Sequence, residues 1–195
     1  MSTLNRAKRE INCKIVYWGP GLSGKATSMN YIYQTAGEAI KGEFIKPTSG
    51  DDQIHHFDYV PLSLGNTRGL STRLHLYVLP GQTPSTASKI SLLKDVDGIV
   101  FVADSLVTRV DANLQELDLL RQGLAQNGLD LASTPWVIQY NKRDLPEIAA
   151  VADMQGALNP GNVPAFETIA TKGISVREAL RNLSQRLQVD LRMKY

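Results

Sequence analysis

The chain has one cysteine, Cys13, in 195 residues. A single thiol closes no intramolecular disulfide, and its place in an apolar run marks it as a small core residue, so the chain reads as a reduced, cytoplasmic protein. A surplus of one charge sign is also missing: 21 Lys and Arg stand against 19 Asp and Glu, a formal net charge of +2. That balance argues against a dedicated nucleic-acid surface. The basic residues near the ends (Arg6, Lys8, Arg9, Arg192, Lys194) read as solvated termini rather than a membrane patch. No apolar run approaches the roughly 20 residues of a membrane span, so no stable membrane insertion is expected, and the polar beginning is unlike a signal peptide. Repeats, low-complexity tracts and linkers are absent. What remains is ordinary apolar content in a length that suits one α/β domain over residues 1–195.

Gly19-Pro-Gly-Leu-Ser-Gly-Lys25 follows the apolar run Ile15-Val-Tyr-Trp18 and precedes a helical pattern through Met29, Ile32 and Tyr33. Strand, Gly-rich turn, Lys and helix in that order form a phosphate-binding P-loop. Gly19, Gly21 and Gly24 let the backbone curl so that successive N–H groups face one anion. The helix N-terminus adds its partial positive charge, and Lys25 places an ammonium on the phosphates. The phosphate-binding set is Gly19, Gly21, Leu22, Ser23, Gly24, Lys25, Ala26 and Thr27. The pattern G-x-x-x-x-G-K-[ST] ends here in Ala26, which has no hydroxyl for Mg²⁺. Thr27 is turned away from that position by about 100°.

Further along, His55 to Gly65 and Leu70 to Leu79 read as a strand pair, and Gly37 to Asp52 as a long loop. Gly98–Ala103 and Pro135–Tyr140 read as buried strands, Arg109–Gln126 as a helix, and short helices fall near Ser88–Leu93 and Met154–Leu158. A last strand covers Phe166 to Ala170, and a closing helix runs from Ser175, read as its N-cap with Glu178 completing a capping box, to about Met193. The alternation predicts a mostly parallel sheet of six or seven strands with helices on both faces and one antiparallel pair. The segments 19–26, 80–82, 141–144 and 170–171 all follow strands, so they should meet at one edge.

Asn141-Lys-Arg-Asp144 follows a buried strand. The Asp144 carboxylate can accept both N1–H and the 2-amino group of guanine, where adenine has nothing to donate. Lys142 can lie along the base, and Asn141 can tie two loops together. With both motifs present, the chain resembles the Ras-like small GTPases. More closely, it resembles the MglA family of bacterial polarity and motility GTPases, through Gly19-Pro-Gly-Leu22, Pro61-Leu-Ser-Leu-Gly65, Pro80-Gly-Gln82, Val102-Ala-Asp-Ser105 and Asn141-Lys-Arg-Asp-Leu-Pro146.

The resemblance implies GTP or GDP as ligand, a Ras-like fold, Gly81 on the terminal phosphate, and a backbone N–H from Ala170-Thr171 on the guanine oxygen. It also implies Gln82 as the residue that orients the attacking water. Against that pattern, Ala26, Ile54 and Val78 stand where the family or its relatives place metal-binding or loop-closing side chains, so a magnesium site is not expected. Gln53 replaces an intrinsic arginine finger. An arginine finger alone is worth roughly a thousand- to a hundred-thousand-fold in rate. The expectation is therefore a protein that holds GTP, hydrolyses it slowly or not at all, and recruits an effector at the cell pole. Partners implied are a RomR-like polarity factor meeting loops 42–56 and 80–92, and a Roadblock-type MglB, whose contact is weakened by Thr83-Pro84-Ser85 in place of bulky apolar residues. The alternatives are an active Mg-dependent switch, using Thr27, Thr48 or Ser49 or an arginine from a partner, and a nucleotide-free interaction module.

Other residues have plainer readings. Adjacent His55 and His56 should point to opposite faces of a strand. Asp104 reads as structural, Glu116 and Asp118 as helix-surface charges, and Trp18 and Trp136 as packing residues; Arg143 receives no role.

Overall fold

The computed structural model describes residues 2–45, 54–60, 66–67, 69–79 and 85–194. In chain order these form β1 (Thr3–Asn5), β2 (Glu10–Trp18), α1 (Lys25–Thr35), β3 (His55–Tyr59), β4 (Asn66–Thr67), β5 (Leu70–Val78) and α2 (Thr86–Leu92). Then follow β6 (Gly98–Asp104), α3 (Val110–Gln126), β7 (Trp136–Asn141), α4 (Val151–Leu158), β8 (Ala165–Glu167) and α5 (Val176–Lys194).

The strands make one eight-stranded sheet whose main path runs β3-β5-β2-β6-β7-β8. From β5 to β8 all neighbours are parallel, and β3 is the antiparallel edge. Two short strands extend the expected plan. β1 pairs with the Glu10–Asn12 end of β2, and β6 joins the same strand only from Ile15 onward. β4 likewise takes the Leu70–Ser71 end of β5, which β3 leaves uncovered. Elements of two or three residues are too short to carry a period, so the sequence pattern does not announce them.

Alternation along β2 divides the interior in two. Ile11, Cys13, Ile15 and Tyr17 face α1 and α5, packing with Met29, Ile32, Leu180, Leu183 and Leu187. Val16 and Trp18 face the other way, toward Leu92 of α2, Leu117, Leu120 and Leu124 of α3, and Met154 and Leu158 of α4. Every residue of β6 and β7 is buried, as expected for strands with helices on both faces. Each fully buried Leu or Ile here contributes about 1.5–3 kcal/mol of transfer free energy. This rigid stack fixes where the strand ends, and thus the loops, lie.

Two expectations shift in detail. The last strand is shorter than read, because the chain turns back after Glu167 through an Ile169–Ile174 bridge. Ser175 does precede α5, and its carbonyl accepts the Ala179 N–H. Its φ of 55°, however, is left-handed rather than the extended backbone of a capping serine, so the capping-box geometry is not adopted. The first part of the long loop is docked. It makes a 3₁₀ turn at Glu38–Ile40, bridges β3 through Lys41 and Ile45, and stacks Phe44 on Phe57 while Phe44 meets Tyr33 edge-to-face.

Candidate functional site

The P-loop leaves β2 at Gly19, whose φ is 139° and where a Cβ would lie 2.2 Å from the Val102 carbonyl oxygen. Gly24, at φ 102°, starts α1, and a Cβ there would sit 2.1 Å from Asn141 Nδ2. Both positions therefore demand glycine for conformation and for space. Lys25 is only 9% exposed and curls back beneath the loop, donating to the carbonyls of Gly19 at 2.8 Å and Pro20 at 2.7 Å. Burial pushes its pKa down to about 8; Glu116 opposes the shift, and the cations of Lys89 and Arg109 add to it. Ser28 one turn later anchors α1 to β7 by donating to Gln139 Oε1 at 3.1 Å.

Asn141 at the end of β7 joins three segments. Its Nδ2 donates to the Ser23 carbonyl at 2.7 Å, and its Oδ1 accepts from the Ala170 N–H at 2.9 Å and from the Thr168 hydroxyl at 3.1 Å. The Ala170 N–H is thus already engaged, because Asn141 reaches it. Thr171, next along, is the neighbouring residue whose N–H has no partner among the described residues. Lys142 has φ 68° and pairs with Asp104 Oδ2 at 2.7 Å. Asp104 is 1% exposed; its main chain exchanges hydrogen bonds with Asn113, and the same Oδ2 lies 3.7 Å from Arg109 Nε. Arg109 in turn donates to the Gly21 carbonyl at 2.8 Å. A carboxylate read from sequence as merely structural therefore links the Lys142 loop to the P-loop.

Gly24 and Thr27 come together with Asn141, Lys142, Asp144, Ala170 and Thr171 around a cleft of about 390 Å³. Leu22, at φ 64° and 63% exposed, stands at its rim. The Asp144 carboxylate is half-buried there, with Lys172 at 3.5 Å. This arrangement suits a flat ligand with paired donors next to an anion held by backbone amides.

The expected metal positions are apolar and engaged elsewhere. Ala26 packs against the α1–α5 core, Val78 is fully buried in it, and Ile54 packs against the core on the other face. None offers a side-chain oxygen, so these side chains do not fit direct coordination of Mg²⁺. Thr27 lines the cleft with Asn141 and Asp144. Gly81, Gln82, Gln53, Thr48, Ser49 and Thr83-Pro84 lie outside the described residues.

His55 and His56 do face opposite ways, one against Phe44 and the other stacked on Tyr77. Among the described residues no cluster of three His, Cys, Asp or Glu could hold a metal. No helix among them is long and apolar enough to cross a membrane. Arg143 ties its loop to Glu167 and to the Ala149 carbonyl. Trp18 and Trp136 are core residues of the α2–α3–α4 face. Glu116 departs from its surface reading: it is largely buried and paired with Lys89 of α2, while its carbonyl accepts from Trp18 Nε1.

A P-loop, an N-K-x-D loop and a mostly parallel sheet between two helical layers define the class of small GTPases. The chain belongs to the ADP-ribosylation factor family, whose profile matches residues 1–187. It is 47% identical over 192 residues to the mutual gliding-motility protein MglA of Myxococcus xanthus (strain DK1622), covering 98% of each chain.

Proposed function

We propose that this protein is a guanine-nucleotide-binding regulator of polarity or motility, folded as one GTPase domain over residues 1–195, that holds GTP with little or no hydrolysis. The observation that carries this reading is the contrast within one site. The groups for ground-state binding are assembled: the P-loop, Lys25, and Asn141, Lys142 and Asp144 around one cleft. The groups that would hold Mg²⁺ over the transferring phosphate are replaced by Ala26, Ile54 and Val78. Interactions equally strong in ground and transition states give affinity without turnover. Gln82, if it orients water as in the resembled family, does not neutralise the charge that develops on the phosphate.

In the GTP-bound form the protein would offer loops 42–56 and 80–92 to an effector of the RomR kind, in the cytoplasm and at a cell pole. The 47% identity to a gliding-motility protein supports the motility assignment. A Roadblock-type MglB has less to do where hydrolysis is absent, and Thr83-Pro84-Ser85 offers it no aromatic anchor.

The test is the nucleotide released on denaturing the purified protein, followed by single-turnover loss of GTP. Retained GTP and a rate near zero are expected. GDP, with turnover that depends on Mg²⁺ and is lost in Gln82→Leu, would replace this reading with an active switch. A protein that binds neither nucleotide in calorimetry would replace it with an interaction module.

A further inference from the structure

Beside the P-loop lies a small, partly open pocket of about 20 Å³, with Gly19, Gly21, Lys25, Leu79, Lys89 and Glu116 among its lining residues. It has room for about one water molecule. Two side chains in it are poorly explained by packing. The Lys89 ammonium on α2 and the Glu116 carboxylate on α3 form an ion pair whose side chains are only 16% and 15% exposed. Glu116 Oε2 is buried with no hydrogen-bond partner among the described residues. A pair taken out of water and left partly unsatisfied is a poor device for stability. A buried unsatisfied acceptor beside a binding loop calls for another explanation.

The donor count supplies one. An ammonium has three N–H groups. Lys25 spends two on the Gly19 and Pro20 carbonyls and keeps one. Lys89 spends one on Glu116 and keeps two. Both lysines line the same cavity beside Gly19 and Gly21, and the charges of Lys89 and Glu116 are felt at Lys25. Glu116 is the carboxylate among the residues lining this cavity, so it holds a second lysine beside the first where their mutual repulsion would otherwise drive them apart.

We propose that Lys89 is a second phosphate-binding lysine, positioned by Glu116, whose remaining N–H donors contact the terminal phosphate of GTP. It supplies from within the chain positive charge that Ala26, Ile54 and Val78 cannot recruit through Mg²⁺. The inference rests on the GTP-holding reading above and deepens it. It explains how a site without metal ligands can favour a triphosphate. It also ties α2 to the nucleotide, so that the helix following loop 80–84 feels whether a third phosphate is present.

The test is calorimetric titration of the nucleotide-stripped full chain with GTP and with GDP, in EDTA and in Mg²⁺. For the natural protein, GTP affinity should change less than about three-fold between the two conditions. Lys89→Met should weaken GTP by about ten-fold or more, the scale of one charge-assisted hydrogen bond, and GDP by less than about three-fold. Lys89→Arg should restore GTP binding to within about three-fold, because it keeps the charge. Lys89→Met/Glu116→Gln removes the pair without leaving a buried unpaired carboxylate; it should show the same selective loss with a melting temperature near that of the natural protein. If Lys89→Met lowers GTP and GDP affinity equally, leaves both alone, or is rescued by Glu116→Gln, the pair is only a tie between α2 and α3 and the inference falls. If the natural protein binds neither nucleotide, the reading it rests on falls with it.

Discussion

At the base end of the cleft, the groups that shape the pocket are held by rigid neighbours. Asn141 and Asp104 sit on the last residues of buried strands; Asn141 is held by the Ser23 carbonyl, the Ala170 N–H and the Thr168 hydroxyl, and Asp104 by Asn113 and Lys142. At the phosphate end, the P-loop is equally well made, yet the positions that should complete it with a metal have turned apolar and joined the two cores. The difference separates two requirements that share one site. Holding a nucleotide needs preformed contacts to its ground state; cleaving it needs charge placed where the transition state develops. On the proposed reading, the first set of contacts stands among the described residues while Ala26, Ile54 and Val78 leave out part of the second.

The comparison can be broken most sharply at the base end. Asp144→Ala should lower guanine-nucleotide affinity by about a hundred- to a thousand-fold, since two donors of the base then lose a charged acceptor. It should leave the melting temperature almost unchanged, because the carboxylate's described ion pair is a loose one with exposed Lys172. Calorimetry with GDP and a thermal melt check both halves. Equal affinity for GDP and ADP in the natural protein would overturn the guanine assignment.

A middle-sized effect comes from Lys25. Its pKa is lowered to about 8 by burial in the empty site, so it is mostly charged at pH 7 and mostly neutral at pH 9. Phosphate binds the charged form. The contribution of Lys25 to affinity should therefore be near its full value at pH 7, about halved at pH 8, and about ten-fold lower at pH 9 than at pH 7. Lys25→Arg, whose guanidinium keeps its proton, should flatten that slope even if overall affinity drops. The smallest effect belongs to the metal position. Ala26→Ser returns one hydroxyl while Ile54 and Val78 stay apolar, so the Mg²⁺ dependence of GTP binding should move by less than about three-fold. A larger gain would mean that other oxygens near the phosphate were waiting for that one ligand.

Much of this site is legible in sequence because its chemistry depends on residue type at fixed spacing. The spacing of three glycines and a lysine after a strand, and of Asn141-Lys-Arg-Asp144 after another, is read directly from the residues. The mostly parallel sheet with an antiparallel strand followed from the alternation of strands and helices in the same way. What escaped depends on elements that are distant in the chain and meet only in the fold. Glu116 and Lys89 lie on different helices, and Glu116 sits beside Leu117 at the border of the buried face of α3, where periodicity does not decide. Arg109 reaches Gly21 across 88 residues of chain, and no local pattern foretells that contact. Which N–H of the pair Ala170-Thr171 is already engaged is visible only in the fold, where Ala170 donates to Asn141.

Asn141 has one further consequence, and it concerns how such proteins change over generations. Two of its three hydrogen bonds go to main-chain atoms, the Ser23 carbonyl and the Ala170 N–H. Main-chain partners survive almost any replacement of the residues that carry them, so the walls of the cleft stay in register while the side chains lining it drift. A lineage can thus discard metal ligands one at a time, keep a usable nucleotide pocket at every step, and arrive at a new behaviour without passing through a misfolded ancestor.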